Sequence, residues 1–255
     1  MLPIRYVQPL QGKSSSHLIT FDDGYDYAVK FVKSDYFRAL PNEWLAYCLS
    51  RFMQLPVPKA YITEIPYSFY HRNPELQTVP YSTYQFASRY IPRCLEGFPS
   101  DFQLVNSEQS LAGMIVLDYW LCNQDRTRKN VLLEEVDQGK FKLWMIDQAE
   151  ILGSHSWTAN SLAQLPVAVM DSATHRMLAT FITDENLFYE QCEIIQSIPS
   201  LLIEEILSVI PASWPLMAIE KQLILSELMT RREKYLPQLI HQFVKKVYRP
   251  LHGQN

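Results

Sequence analysis

The chain has 255 residues, 47% hydrophobic and 20% charged, a composition that excludes a disordered chain and suits one large domain or two lobes sharing a cleft. Lys and Arg number 23 against 27 for Asp and Glu, a net charge of −4 with no block of like charge, which argues against nucleic acid as the primary partner. Cys48, Cys94, Cys122 and Cys192 form neither a C-x-x-C pair nor a dense framework, and there is no leader-like N-terminus and no run of about 18 apolar residues. Free thiols, a cytoplasmic location and no membrane partner are therefore expected.

Extended signals come first: Ile4 to Val7, His17 to Phe21 and Tyr27 to Val32, the last two joined through Asp22-Asp23-Gly24. Asp-Gly between apolar runs is hairpin chemistry, because glycine reaches positive φ without steric cost. Three antiparallel strands follow from this. Leu45, Leu49 and Phe52 then recur at helical spacing after Pro41 and Asn42, predicting an amphipathic helix that ends before Leu55-Pro56-Val57-Pro58. Lys59 to Glu64 and Ser82 to Tyr90 read as strands, separated by a Pro- and Tyr-rich connection from Pro66 to Pro80.

Beyond Pro92 to Pro99 the pattern is helical. Leu111, Met114, Ile115, Asp118 and Cys122 mark one face of a helix from about Ser107 to Leu121. The polar loop Asn123 to Asn130 follows, and then a hairpin of Val131 to Leu133 with Phe141 to Ile146, turned at Asp137-Gln138-Gly139. Proline-bounded helices are expected over Asp184 to Ser197, Pro199 to Val209, Pro215 to Tyr235 and Pro237 to Val247. The fold expected is α+β in two lobes, a β-rich one over residues 1–95 and a mainly helical one over 96–255.

The chemistry concentrates in Asn123-Gln124-Asp125-Arg126-Thr127-Arg128-Lys129-Asn130 and in Met145-Ile146-Asp147. An Asp-x-x-x-x-Asn loop followed by an Asp at a strand end is the arrangement of phosphoryl transfer. One Asp takes the proton of the attacking hydroxyl, and the Asn and second Asp offer hard oxygens to Mg²⁺ on the nucleotide phosphates. Asp125 is the expected base, with Asn130 and Asp147 the metal ligands. Singly, each also fits a loop cap or a strand end.

A cation for the phosphates is supplied by Lys30 in the third strand, and Glu43 early in the next helix is its natural ion-pair partner. Lys30 alone would equally suit a solvated strand edge, and Glu43 a favourable first-turn carboxylate. Gln11 to His17 occupies the place of a phosphate-covering loop, though a plain turn fits as well, since neither a G-x-G-x-x-G nor a Walker A pattern is present. Arg126, Arg128 and Lys129 put positive charge beside Asp125, for which solvated loop charge is the commoner explanation; of the three, Arg126 ranks first as a group to assist the transferring phosphoryl group. Histidine spacings give no metal-hydrolase pattern, and no G-x-S-x-G elbow occurs.

These pieces in order resemble the HipA-like kinases, in the compact branch without the extra N-terminal domain. The matching segments are Tyr27-Ala28-Val29-Lys30-Phe31, Asn42-Glu43 with Leu55-Pro56-Val57-Pro58, Phe86 to Pro92, Leu117-Asp118-Tyr119-Trp120, Asn123 to Leu133 and Leu143 to Asp147. The resemblance implies a protein-kinase-like fold using ATP and Mg²⁺, with Lys30, Glu43 and the loop of Gly12, Ser14, Ser15 and Ser16 on the nucleotide and Phe86, Ala87 and Ser88 at the adenine hinge. It implies a seryl or threonyl protein acceptor, autophosphorylation at Ser14, Ser15 or Ser16, and a possible antitoxin-like partner. Thr127 stands where the family usually has His, Gln148 where protein kinases have Phe, and the loop is poor in glycine. A small-molecule or lipid kinase, an AMP transferase and a nucleotide-binding pseudokinase are the alternatives.

Overall fold

The computed structural model describes residues 1–12, 15–95, 98–99 and 102–253. Strands β1 (Pro3–Pro9), β2 (His17–Phe21) and β3 (Asp26–Lys30) form where the alternation places them, the third ending at Lys30 rather than Val32. Gly24, at φ +81°, turns β2 into β3. Helix α1 (Ala39–Phe52) begins two residues before Pro41, because a proline in the first turn loses no intrahelical hydrogen bond. Strands β4 (Ala60–Glu64) and β5 (Tyr84–Arg89) complete an antiparallel sheet of order β1-β2-β3-β5-β4.

The connection between β4 and β5 is not irregular. It carries the short helix α2 (Tyr67–Arg72) and a 3₁₀ turn (Pro74–Thr78), because Phe69, Leu76 and Val79 reach under the sheet to join Ile19, Phe21, Tyr27, Val29 and Ala87 in one apolar core. The alternation of β5 sends Phe86 to the opposite face and into a second, larger core with Leu45 and Leu49 of α1. Helix α1 therefore couples the sheet to everything that follows.

Strand β6 (Cys94–Leu95) already pairs with the second sheet, which places the crossing between the sheets at residues 90–93. After β7 (Gln103–Leu104), helix α3 (Glu108–Leu121) is capped by Ser107, whose Oγ accepts the Ser110 N–H at 3.2 Å. The expected amphipathic helix is instead buried on all sides from Leu111 to Leu121, with the second sheet, α1 and later helices around it. A Cβ added at Gly113 would lie 2.7 Å from both Gln191 Oε1 and Leu55 Cδ2, so this glycine permits the close approach of its neighbours. Strands β8 (Val131–Asp137) and β9 (Lys140–Met145) form the expected hairpin and are joined by β6 and β7 in the order β6-β8-β9-β7.

The remaining chain forms α4 (Ala159–Leu162), α5 (Ala173–Ala179), α6 (Asn186–Ser197), α7 (Ser200–Ser208) and α8 (Ala218–Thr230). Helices α4 and α5 were not anticipated from the sequence. Pro237 does not begin a separate helix. Alpha-helical and π-helical turns run continuously from Ala218 to Leu251, with a π turn at Arg231–Tyr235 directly before α9 (Leu236–Phe243), and a wider turn accommodates a proline that cannot donate to the preceding turn. Among the described residues no helix is long and apolar enough to cross a membrane.

Candidate active site

Lys30 lies at the end of β3, opposite Phe86, on the sheet face that looks toward α1. Its Nζ donates to Glu43 Oε1 and, at 2.7 Å, to Asp147 Oδ1 from 117 residues further along the chain. Burial works against its positive charge, but Asp147 and Glu43 outweigh it and raise the Lys30 pKa. Burial raises the Glu43 pKa, with Lys30 opposing the shift, whereas at Asp147 the same lysine overcomes the burial penalty and lowers it. Glu43 Oε1 also accepts the Gln148 N–H at 3.1 Å, so the helix carboxylate holds the chain directly after Asp147. Asp147 itself sits at φ +54°, a left-handed conformation that Asp tolerates better than most residues.

The loop after α3 is set by its C-cap. Cys122 adopts the left-handed conformation at φ +53°, ending the helix and turning Asn123 inward. Asn123 Oδ1 accepts the Asp125 N–H at 3.2 Å. Asn130 Nδ2 donates to the Asp125 carbonyl and, at 3.1 Å, to Asp125 Oδ2. That pairing commits the amide nitrogen of Asn130, and among the described residues its Oδ1 accepts no hydrogen bond. Asp125 stays half-buried at the surface of the loop.

The fit of a divalent cation is decided by this donor set. Asn130 offers a carbonyl oxygen and Asp147 a carboxylate whose side chain is 33% exposed. Among the described residues no cluster of three or more His, Cys, Asp or Glu could hold an ion by itself. Two hard oxygens completed by phosphates and water are what Mg²⁺ accepts and what Zn²⁺ does not select, so the residues fit.

Arg126 does not face the site. Its guanidinium is buried, and all five N–H groups are used: Nε and Nη2 to the Asp118 carboxylate at 2.8 and 3.0 Å, Nη1 to the carbonyls of Asn130 and Ile146, each at 3.0 Å, and Nη2 to Gln148 Oε1 at 2.7 Å. No donor is left for a phosphoryl group, which overturns the role expected for it. The adenine-hinge expectation is also corrected. Phe86, Ala87 and Ser88 lie inside β5 between β3 and β4, so both neighbours use their backbone groups, and only the Phe86 and Ser88 side chains can line the cleft beside Lys30 and Ala28. Free main chain begins beyond Tyr90, whose N–H is taken by Asp26 O at 2.9 Å.

The β1–β2 loop lies at the same end of the sheet as Lys30, since His17 pairs with Val29. Leu10 N donates to Ser16 O at 2.7 Å and Ser15 N to Gly12 O at 3.3 Å, closing the loop at its base. Ser16 is buried there, which removes it as an accessible hydroxyl for modification, while Ser15 is half-buried. Ser14 lies outside the described residues. A cavity of about 310 Å³ opens behind the Asn123–Asn130 loop, between Asn123 and Gln124 and the Met170–Ser172 segment, and is lined by none of Lys30, Asp125 or Asp147. The chemistry, rather than the volume, locates the site.

Two residues that sequence reading left without a role support the site. Asn42, beside Glu43, donates from Nδ2 to the carbonyls of Ala149 (2.6 Å), Ile151 (3.1 Å) and Ser154 (3.2 Å), and its Oδ1 accepts the Trp157 indole N–H at 2.9 Å. Asp118, inside the buried and otherwise apolar or aromatic stretch Leu111–Leu121 of α3, binds Arg126, Asn123 Nδ2 (3.0 Å) and His175 Nε2 (3.0 Å). An acid in a helix buried all round must be paired, and that was the available signal. Burial alone would raise the Asp118 pKa, but Arg126 and His175 bring it down to about 2. A depressed carboxylate stabilises the fold fully above its unfolded value, about 4, and loses that contribution as pH falls through about 2. Urea unfolding measured between pH 5 and pH 2 is expected to show a loss on the order of 2 kcal/mol from this group.

A β-rich lobe carrying a lysine paired to a helix glutamate, over a helical lobe carrying an Asp-x-x-x-x-Asn loop and a hairpin-end Asp, defines a protein-kinase-like fold. The chain belongs to the HipA-like kinase family, whose model matches residues 6–243. Among solved structures it is similar to the Helicobacter pylori proinflammatory kinase CtkA, at 12% identity and TM-score 0.63, over 95% of this chain and 97% of that one. It is also similar to the Golgi casein kinase with Mn and ADP bound, at 13% identity and TM-score 0.55, over 96% and 74%. Shewanella oneidensis HipA, in complex with HipB and operator DNA, aligns at 11% identity and TM-score 0.47 over 92% and 67%. No curated protein sequence matches the chain.

Proposed function

We propose that the protein transfers the γ-phosphoryl group of ATP, with Mg²⁺, to a hydroxyl on a protein serine or threonine. The observation that carries this reading is the convergence of Lys30, Glu43 and Asp147 in one ion-paired cluster, with Asn130 positioned by Asp125. Lys30 would neutralise phosphate oxygens, and Glu43 keeps its ammonium in place. Mg²⁺, held by Asn130 and Asp147, would spread the charge that develops on the phosphates. Asp125 accepts the acceptor's hydroxyl proton as the new O–P bond forms and the bond to the γ-phosphorus breaks, releasing ADP. Adenine would stack beside Ala28 and Ser88, with its polar edge met by main chain after Tyr90. That one structural neighbour is named a casein kinase supports a protein acceptor.

Incubation with ATP labelled at the γ- or the α-phosphate, followed by mapping of the label, tests the reaction. Label from the γ position on serine or threonine, reduced about 100-fold or more in Asp125→Ala, is the expected result. Label from the α position would instead identify an AMP transferase, and no label from either would leave a nucleotide-binding protein without turnover.

A further inference from the structure

We infer that Asp118, Arg126 and His175 form a positioning device that sets the spacing of Asn130 and Asp147 from behind the site. Its consequence for turnover rests on the kinase reading; its geometry does not. One rigid guanidinium reaches the carbonyl of Asn130, the carbonyl of Ile146 and the side chain of Gln148, so a single planar group fixes one metal-side ligand and both chain neighbours of the other. A planar fork can do this only if its own rotation is fixed, and the two-point grip of the Asp118 carboxylate fixes it.

Asp118 is held in turn by Asn123 and by His175, which arrives from α5, 57 residues away. His175 Nδ1 has no partner among the described residues, in keeping with a ring that carries its proton on Nε2 and donates it to Asp118. A second link runs parallel to the first: Ser172, the cap of α5, donates from Oγ to Arg126 O at 3.2 Å and accepts the His175 N–H at 3.1 Å. Helix α5 thus grips the catalytic loop at its main chain and through the buried ion pair. Asp118, Arg126 and His175 are each at most 2% exposed, so none touches substrate and all act through the ligands they place. Displacements well under the length of a bond matter at such a site, because outer partners of metal ligands typically change metal affinity or activity about 10- to 100-fold.

The test compares His175→Ala, His175→Gln, Ser172→Ala and Arg126→Lys with wild type by amide hydrogen exchange and by the Mg²⁺ dependence of turnover at saturating ATP. In His175→Ala, exchange of residues 125–131 and 146–148 should rise about 10-fold while α6 to α9 stay protected, and the Mg²⁺ needed for half-maximal turnover should rise about 10-fold. His175→Gln, which keeps a side-chain N–H at similar reach, should recover most of both. Exchange that rises uniformly or not at all, or a Mg²⁺ dependence unchanged in active His175→Ala, overturns the inference. If Arg126→Lys fails to fold, the milder variants His175→Ala and Ser172→Ala, which leave the Asp118–Arg126 ion pair in place, decide it. If wild type shows no turnover, the kinase reading fails while the exchange measurement still settles the positioning.

Discussion

Lys30→Met is expected to reduce phosphoryl transfer about 100- to 1,000-fold, the scale on which loss of one preorganised charge-stabilising group acts. It should also destabilise the protein. Lys30 is the cation between two carboxylates, Glu43, which is buried, and Asp147, which is one-third exposed. Removing one partner of such a cluster costs about 3–5 kcal/mol because the remaining charges are left uncompensated. Glu43, whose pKa burial already raises, relieves part of this by taking a proton. The double variant Lys30→Met, Glu43→Gln should therefore regain much of the stability and none of the activity. Transfer restored in the double variant would show that Lys30 serves the fold and not the phosphates. Urea unfolding and transfer assays on the two variants separate the cases.

Asn42→Ala is expected to cost about 3–4 kcal/mol in urea or thermal unfolding, because it removes the amide partner of the buried Ala149 and Ile151 carbonyls, of the part-buried Ser154 carbonyl and of the buried Trp157 indole N–H. Asn42→Asp should be no better: it keeps the acceptor for Trp157 but turns a carboxylate toward the carbonyls of Ala149, Ile151 and Ser154. The effect reaches the site because Glu43 is the next residue and Gln148 lies directly before the segment that Asn42 holds. Loss of stability under about 1 kcal/mol in Asn42→Ala would mean that this segment is held by other contacts.

The strands and the residues with charge were readable because each leaves a local mark. Alternation, an Asp-Gly turn and a polar loop between an apolar helix and a hairpin placed Lys30, Glu43, Asp125, Asn130 and Asp147 on elements whose ends converge. What was not readable depends on direction and on order in space. Arg126 stands beside Asp125 in the chain, but its side chain turns inward because Asp118, one helix away, offers a buried carboxylate. Phe86 to Ser88 form a strand as expected, yet the sheet order puts that strand between β3 and β4 and uses the backbone that a hinge requires. The pattern in α3 suggested one apolar face, whereas packing from the second sheet, α1 and the later helices buries every side. Helix α5 has only a Ser172 cap and seven residues, too short a signal for periodicity, and its contribution is known only from where His175 arrives.

The most direct test of the central claim is calorimetric titration of wild type and Asp147→Asn with ATP, in the presence and absence of Mg²⁺. The account predicts that wild type binds ATP more tightly with Mg²⁺, and that Asp147→Asn binds ATP with that Mg²⁺ dependence removed, because the carboxylate that meets the metal is gone while Lys30 remains. A wild type that binds no ATP under either condition, or an Asp147→Asn protein with unchanged Mg²⁺ dependence, would contradict the assignment of this cluster as the nucleotide and metal site.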